Sequence, residues 1–178
     1  MPYGDASVRP ATPQDARAIA QVHVESSKTT YKGIFSDNLL DRLSVEDRAC
    51  SWSEMLTKNE PQLVTLVGCD ESESVVGFVC GGAERTGRLG CDGELHAIYL
   101  LQAAQRQGLG TLLVRRFVRE LRSLGFASMA VWVLARNPSR VFYEALGGKV
   151  IAEQEIERDS ESFAEIAYGW SDLSKFQV

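Results

Sequence analysis

Gln105-Arg106-Gln107-Gly108-Leu109-Gly110-Thr111 is the stretch on which the reading of this chain turns. It follows an apolar, strand-like run from Glu94 to Leu101 and opens an amphipathic helix predicted over about Leu109 to Leu124. A strand, a glycine-rich turn and a helix start form an anion site. The first helical turn leaves backbone N–H groups unpaired, its macrodipole adds partial positive charge, and glycines let a phosphate approach the main chain. The ligand this predicts carries a pyrophosphate.

Two familiar phosphate loops fit poorly. A Walker loop requires Gly-Lys-Ser/Thr, whereas Gly110 is followed by Thr111 and Leu112. A dinucleotide-binding fingerprint requires a small residue three places after its second glycine, and Leu113 stands there.

The remaining pattern, Gln-x-x-Gly-x-Gly, resembles the coenzyme A pyrophosphate loop of the GCN5-related N-acetyltransferase (GNAT) superfamily. Glu94, in Gly93-Glu94-Leu95-His96, stands where that family's fourth strand carries a glutamate. The run from Asn137 through Phe142-Tyr143-Glu144 to Gly147-Gly148 is similar to its late helix. The order of elements also matches, so the resemblance spans roughly Ser7 to Trp170, within one domain covering residues 1–178.

Composition agrees with one folded domain. A chain of 178 residues with 44% hydrophobic content is long enough to bury a sizeable core. A net charge of −5 argues against nucleic-acid binding, which draws on clustered Lys and Arg. Arg115, Arg116, Arg119 and Arg122 read as the solvated face of the helix after the glycine loop. The cysteines, Cys50, Cys69, Cys80 and Cys91, form no C-x-x-C pair, so no metal site is expected. Neither a signal peptide nor a membrane span is recognisable, which predicts a cytoplasmic protein that does not engage the membrane.

Along the chain, a short strand at Ser7-Val8-Arg9 precedes Thr12-Pro13-Gln14-Asp15, an N-cap with proline at the first helical position. Helices are predicted to about Ser27, from Ser36 to Leu43, and from Ser44 to about Thr57. β-rich runs follow at 63–69, 75–83 and 94–101, joined by polar or glycine-rich turns. The helix after the glycine loop, with Leu109, Leu113, Phe117, Leu121 and Leu124 inward, ends at Gly125. A fifth strand at 127–134, a helix at 138–146 and strands at about 149–157 and 163–170 complete the order. The fold class is therefore α/β, of mixed α+β type. A mostly antiparallel seven-stranded sheet with helices on both faces is expected.

The resemblance implies acetyl-CoA as cosubstrate, without a metal, and an acetyl transfer to a primary amine of a small molecule or peptide by direct attack in a ternary complex. It implies Gln105, Arg106, Gln107, Gly108, Leu109, Gly110 and Thr111 at the pyrophosphate, Ile98, Tyr99 and Leu100 along the pantetheine arm, and Asn137 at a pantetheine amide. It implies Glu94 as general base and Tyr143 as the acid that protonates the departing thiolate. His96, two residues from Glu94 and on the same face by strand alternation, is the rival base, since its ordinary pKa near ~6.5 suits the task. The segment covering the acceptor contributes Glu25, Tyr31 and Phe35, with His96 nearby. A non-catalytic acyl-CoA sensor or an interaction module on the same fold is the alternative function. The apolar last strand, with Phe163, Ile166, Tyr168 and Trp170, permits a homodimer.

Overall fold

The computed structural model describes residues 7–176. Strand β1 (Ser7–Pro10) is followed by a 3-10 turn (Pro13–Asp15) and helix α1 (Ala16–Thr30). Helices α2 (Asp37–Asp41) and α3 (Val45–Lys58) lead into strands β2 (Val64–Cys69), β3 (Val75–Ala83) and β4 (Gly93–Leu100). Helix α4 (Leu109–Ser123), strand β5 (Met129–Leu134), helix α5 (Arg140–Ala145) and strands β6 (Lys149–Arg158) and β7 (Glu161–Trp170) follow. The sheet is seven-stranded in the order β1-β2-β3-β4-β5-β7-β6, and all neighbours are antiparallel except β4 and β5. The expected architecture is the observed one.

The caps act where the sequence puts them. Thr12 and Asp15 form a capping box, and Arg9 closes on both Asp15 oxygens at 2.8 Å. That fork holds the Asp15 carboxyl down at a pKa of about 2, and the Thr12 hydrogen bonds lower it further against the opposing effect of burial. At its C-terminus α4 ends in a Schellman motif. Gly125, at φ 92°, donates to Arg122 and Phe126 donates to Leu121. Leu124 is thereby turned outward and is 43% exposed, which corrects its expected place inside.

Two apolar cores sit on opposite faces of the sheet. Leu109, Leu113, Phe117 and Leu121 of α4 pack with Val79, Leu95 and Val131 on one side. On the other, Ile19 and Ala20 of α1 and Trp52 of α3 pack with Phe78 and Cys80. Burying side chains of this size contributes roughly 1.5–3 kcal/mol each, before conformational entropy is set against it.

The expected dimer surface is not there as a free face. Phe163, Tyr168 and Trp170 are buried within the chain's own fold, and Ile166 is partly buried against the α4-side core. The cysteines are free thiols, Cys69 and Cys80 buried and Cys50 exposed. No helix among the described residues is long and apolar enough to cross a membrane.

Candidate active site

Strands β4 and β5 pair only at Gly93–Met129 and Glu94–Ala130, beyond which they splay apart. The gap belongs to a cleft of about 1160 Å³, lined on one side by Leu95 to Leu100 and on the other by Val131 to Leu134. That volume suits a large ligand.

At one end of the cleft stands the glycine loop. A 3-10 turn (Gln102–Ala104) makes the bend, and Gln105 donates from Nε2 to the Leu100 carbonyl at 3.0 Å. Gly108 adopts φ 89°, and a Cβ built on it would meet nothing within 4 Å. The Leu112 N–H closes on the Gly108 carbonyl. Among the described residues nothing accepts from the N–H groups of Arg106 through Thr111. These donors, at the positive end of a 15-residue helix, fit a diphosphate by number and polarity. Gln105, Arg106, Gly108, Gly110 and Thr111 line the cleft. Two side chains of the loop turn elsewhere: Gln107 donates to the Ala103 carbonyl, and Leu109 is 2% exposed in the α4-side core. Only their main chain is available to a ligand.

A β-bulge shapes the middle of the cleft. Cys80 pairs with Ala97 and Gly81 with Leu95, so His96 is the extra residue. The bulge resets the alternation. Leu95, Ile98 and Leu100 pack on the α4 side, while Ala97 and Tyr99 pack on the α1 and α3 side. The simple two-residue rule for Glu94 and His96 therefore does not apply, yet the two remain close, with His96 Nε2 4.0 Å from Glu94 Oε2.

Their roles separate by access. Glu94 is 1% exposed and is not among the residues lining the cleft. Its carboxylate accepts from the Arg85 main-chain N–H at 3.1 Å and from Arg85 Nε, with Nη2 in close contact. This departs from the expected carboxylate open to an acceptor amine: strand position set the residue, but a guanidinium from the β3–β4 loop occupies it. His96 does line the cleft, with Nε2 3.3 Å from the Ala83 carbonyl. A carbonyl only accepts, so Nε2 carries the proton and Nδ1 keeps the lone pair. Burial and then Arg85 push the His96 pKa below its ordinary value, with Glu94 and the Ala83 carbonyl opposing.

Tyr143 lines the opposite wall, 7% exposed, beside Phe142 and stacked on Tyr168. Burial raises its pKa, so the hydroxyl keeps its proton at neutral pH, and among the described residues it has no hydrogen-bond partner. Helix α5 is anchored beneath it. The Tyr168 hydroxyl donates to Glu144 at 2.6 Å and accepts from Arg140 Nε at 3.0 Å. Asn137 lines the cleft too. Its Oδ1 accepts from the Ser139 N–H at 2.8 Å, which leaves the amide nitrogen for a ligand.

At the far end, Tyr31 and Phe35 line the cleft as expected, tilted against each other with ring centres 4.8 Å apart, with Phe35 edge-on to Phe163. Glu25 does not belong to this wall. It is exposed, holds Gln21 Nε2 at 3.0 Å, and borders a separate, smaller pocket with Ser26, Thr29 and Gln102. His23, Arg48, Trp132 and Arg158 also line the cleft and were not anticipated as site residues. His23 lies within the first predicted helix, and no local pattern distinguishes the others. No group of His, Cys, Asp or Glu suited to a metal ion occurs among the described residues.

Comparison with known proteins bears on the same regions. Residues 83–157, which include β4, the glycine loop, α4, β5 and α5, match the family model described as FR47-like protein. The N-acetyltransferase YuaI of Bacillus subtilis (strain 168), itself uncharacterized, is 39% identical over 172 residues, covering 97% of this chain and 96% of YuaI. Among solved structures, the PaiA N-acetyltransferase of Thermoplasma acidophilum in complex with coenzyme A superposes with a TM-score of 0.73 at 19% identity, over 91% of this chain and 98% of that one. YncA of Salmonella typhimurium with its cofactor acetyl-CoA gives 0.70 at 20% identity, over 98% of each.

Proposed function

The chain belongs to the GNAT superfamily of N-acetyltransferases, and from that premise we propose that it acetylates a primary amine of a small molecule or peptide by direct attack in a ternary complex. It is an acetyl-CoA-dependent acetyltransferase. The observation that carries the reading is the run of unpartnered N–H groups from Arg106 to Thr111, opening onto a cleft that reaches His96 and Tyr143.

Acetyl-CoA supplies an activated acetyl carbon and a thiolate leaving group. The main chain from Arg106 to Thr111 would hold the diphosphate, with Arg106 adding a charge-assisted contact, and Asn137 Nδ2 would meet a pantetheine carbonyl. Ile98, Tyr99 and Leu100 would flank the arm, and main-chain N–H groups of β4 would stabilise charge on the thioester oxygen. His96 Nδ1 takes the proton from the acceptor ammonium, since its depressed pKa keeps the imidazole neutral at pH 7. Glu94 acts through His96 as a positioning residue, its charge balancing Arg85. As the amine nitrogen bonds to the acetyl carbon and the C–S bond breaks, the Tyr143 hydroxyl gives its proton to the sulfur, and the second proton shed by the bonded nitrogen restores the tyrosine hydroxyl.

Thiol release from acetyl-CoA across a panel of amines, amino acids and peptides, corrected for hydrolysis, tests the assignment. Amine-dependent release that His96→Ala abolishes is the expected result. Tight coenzyme binding without release would favour an acyl-CoA sensor instead.

A further inference from the structure

The far end of the cleft carries charge that neither coenzyme binding nor proton transfer uses. Arg48 and Arg158 both line it and both are exposed, and neither guanidinium has a carboxylate partner among the described residues. The same cleft carries an aromatic wall. His23 stacks on Tyr99 with ring centres 4.8 Å apart, and the Tyr99 and Tyr31 hydroxyls meet at 3.1 Å.

Burial, then the charge of Arg48, lower the His23 pKa to about 4, while Arg158 opposes the rise that burial imposes on Tyr31. His23 is not a second base: Nδ1 accepts from Trp52 Nε1 at 3.3 Å, so the ring is a neutral donor through Nε2. Two acidic groups line the same cleft. Asp159 pairs with Arg42, and Glu165 accepts from Gln154 Nε2 at 2.9 Å. Leu39, Leu40 and Leu43 add apolar surface. An occupant of this end meets two unpaired guanidinium groups against one carboxylate, Glu165, that no salt bridge among the described residues neutralises, with neutral donors and aromatic or aliphatic walls.

We infer that the acceptor is a free amino acid with an apolar side chain, its carboxylate met by Arg158 with Arg48 reinforcing the field, and its amino group turned toward His96. The inference rests on the acetyl-transfer reading above and narrows its substrate class. A polyamine would bring cations to a site that already has unpaired ones, and an amino-acid amide would leave both guanidinium groups unanswered.

The test compares thiol release with L-leucine and L-phenylalanine, with their amides, and with spermidine, using the full chain and its Arg158→Gln and Arg48→Gln variants. The expected result is a kcat/KM for the acids at least about tenfold above the amides, a ratio that Arg158→Gln reduces to within about twofold while acetyl-CoA affinity is unchanged. Amides matching or exceeding the acids, or spermidine as the best acceptor, would overturn the inference and leave acetyl transfer standing. Release from no amine at all, with acetyl-CoA bound, would overturn both. Both arginines are exposed, so the variants are expected to fold.

Discussion

His96 Nε2 lies 4.0 Å from Glu94 Oε2, and only the histidine of this pair lines the cleft. The carboxylate is enclosed behind it under Arg85, and in the proposed mechanism the acceptor's proton therefore goes to the imidazole.

His96→Ala should lower kcat/KM by about a hundredfold or more, the usual contribution of a positioned base. Glu94→Gln should instead move the acid limb of the pH–rate profile to lower pH. Glu94 is a group that raises the His96 pKa, and its loss leaves only the Ala83 carbonyl to oppose the lowering effects of burial and Arg85. A profile unmoved by Glu94→Gln would sever the two residues functionally.

Tyr143→Phe removes a hydroxyl that has no partner within the described residues, so folding should hardly change. Turnover should fall by about tenfold to a hundredfold with acetyl-CoA affinity retained. Equal losses in turnover and affinity would reassign the tyrosine to binding.

Gly108→Val places a branched side chain at φ 89°, in the open space where a Cβ meets nothing within 4 Å. The strain costs about 1–2 kcal/mol and should lower Tm by several degrees. Coenzyme affinity should drop more, by at least about tenfold, because the side chain enters the region above the unpaired N–H groups. Calorimetric titration with coenzyme A checks this. An unchanged Kd would place the pyrophosphate elsewhere.

Stability should fall as the medium is acidified, in two stages. His23 has a folded pKa of about 4 against an ordinary 6.5, so between those values the unfolded chain binds more protons and each step down in pH favours unfolding. Asp15 has a folded pKa of about 2 against 3.8, so its stabilisation, present above the unfolded value, is lost as pH drops through the folded one. Urea unfolding at pH 7, 5 and 3 reads both. The His23→Gln variant should flatten the upper stage, and Arg9→Gln, which breaks the Asp15 fork, should flatten the lower one.

Helical spacing and turn chemistry made most of the scaffold legible. The α4 periodicity, the Thr12 cap and the polar turns between β2, β3 and β4 are local patterns that secondary structure follows directly. Leu124 was misplaced because helical periodicity was carried past the point where Gly125 reverses the chain. Glu25 lies outside the main cleft, in a neighbouring pocket, because a resemblance between segments does not say which way each residue of a helix turns.

By itself, the sequence determined the glycine loop, the helix it opens, the order of elements and hence the family, because each depends on neighbours a few positions apart. Tertiary structure alone decided which groups meet in the cleft. The bulge at His96 depends on register with β3, the enclosure of Glu94 on a guanidinium nine residues away in a loop, and the presence of Arg48 and Arg158 in one cleft on α3 and the end of β6 both reaching it. Those are contacts across space between segments whose local patterns carry no trace of one another, so only packing selects them.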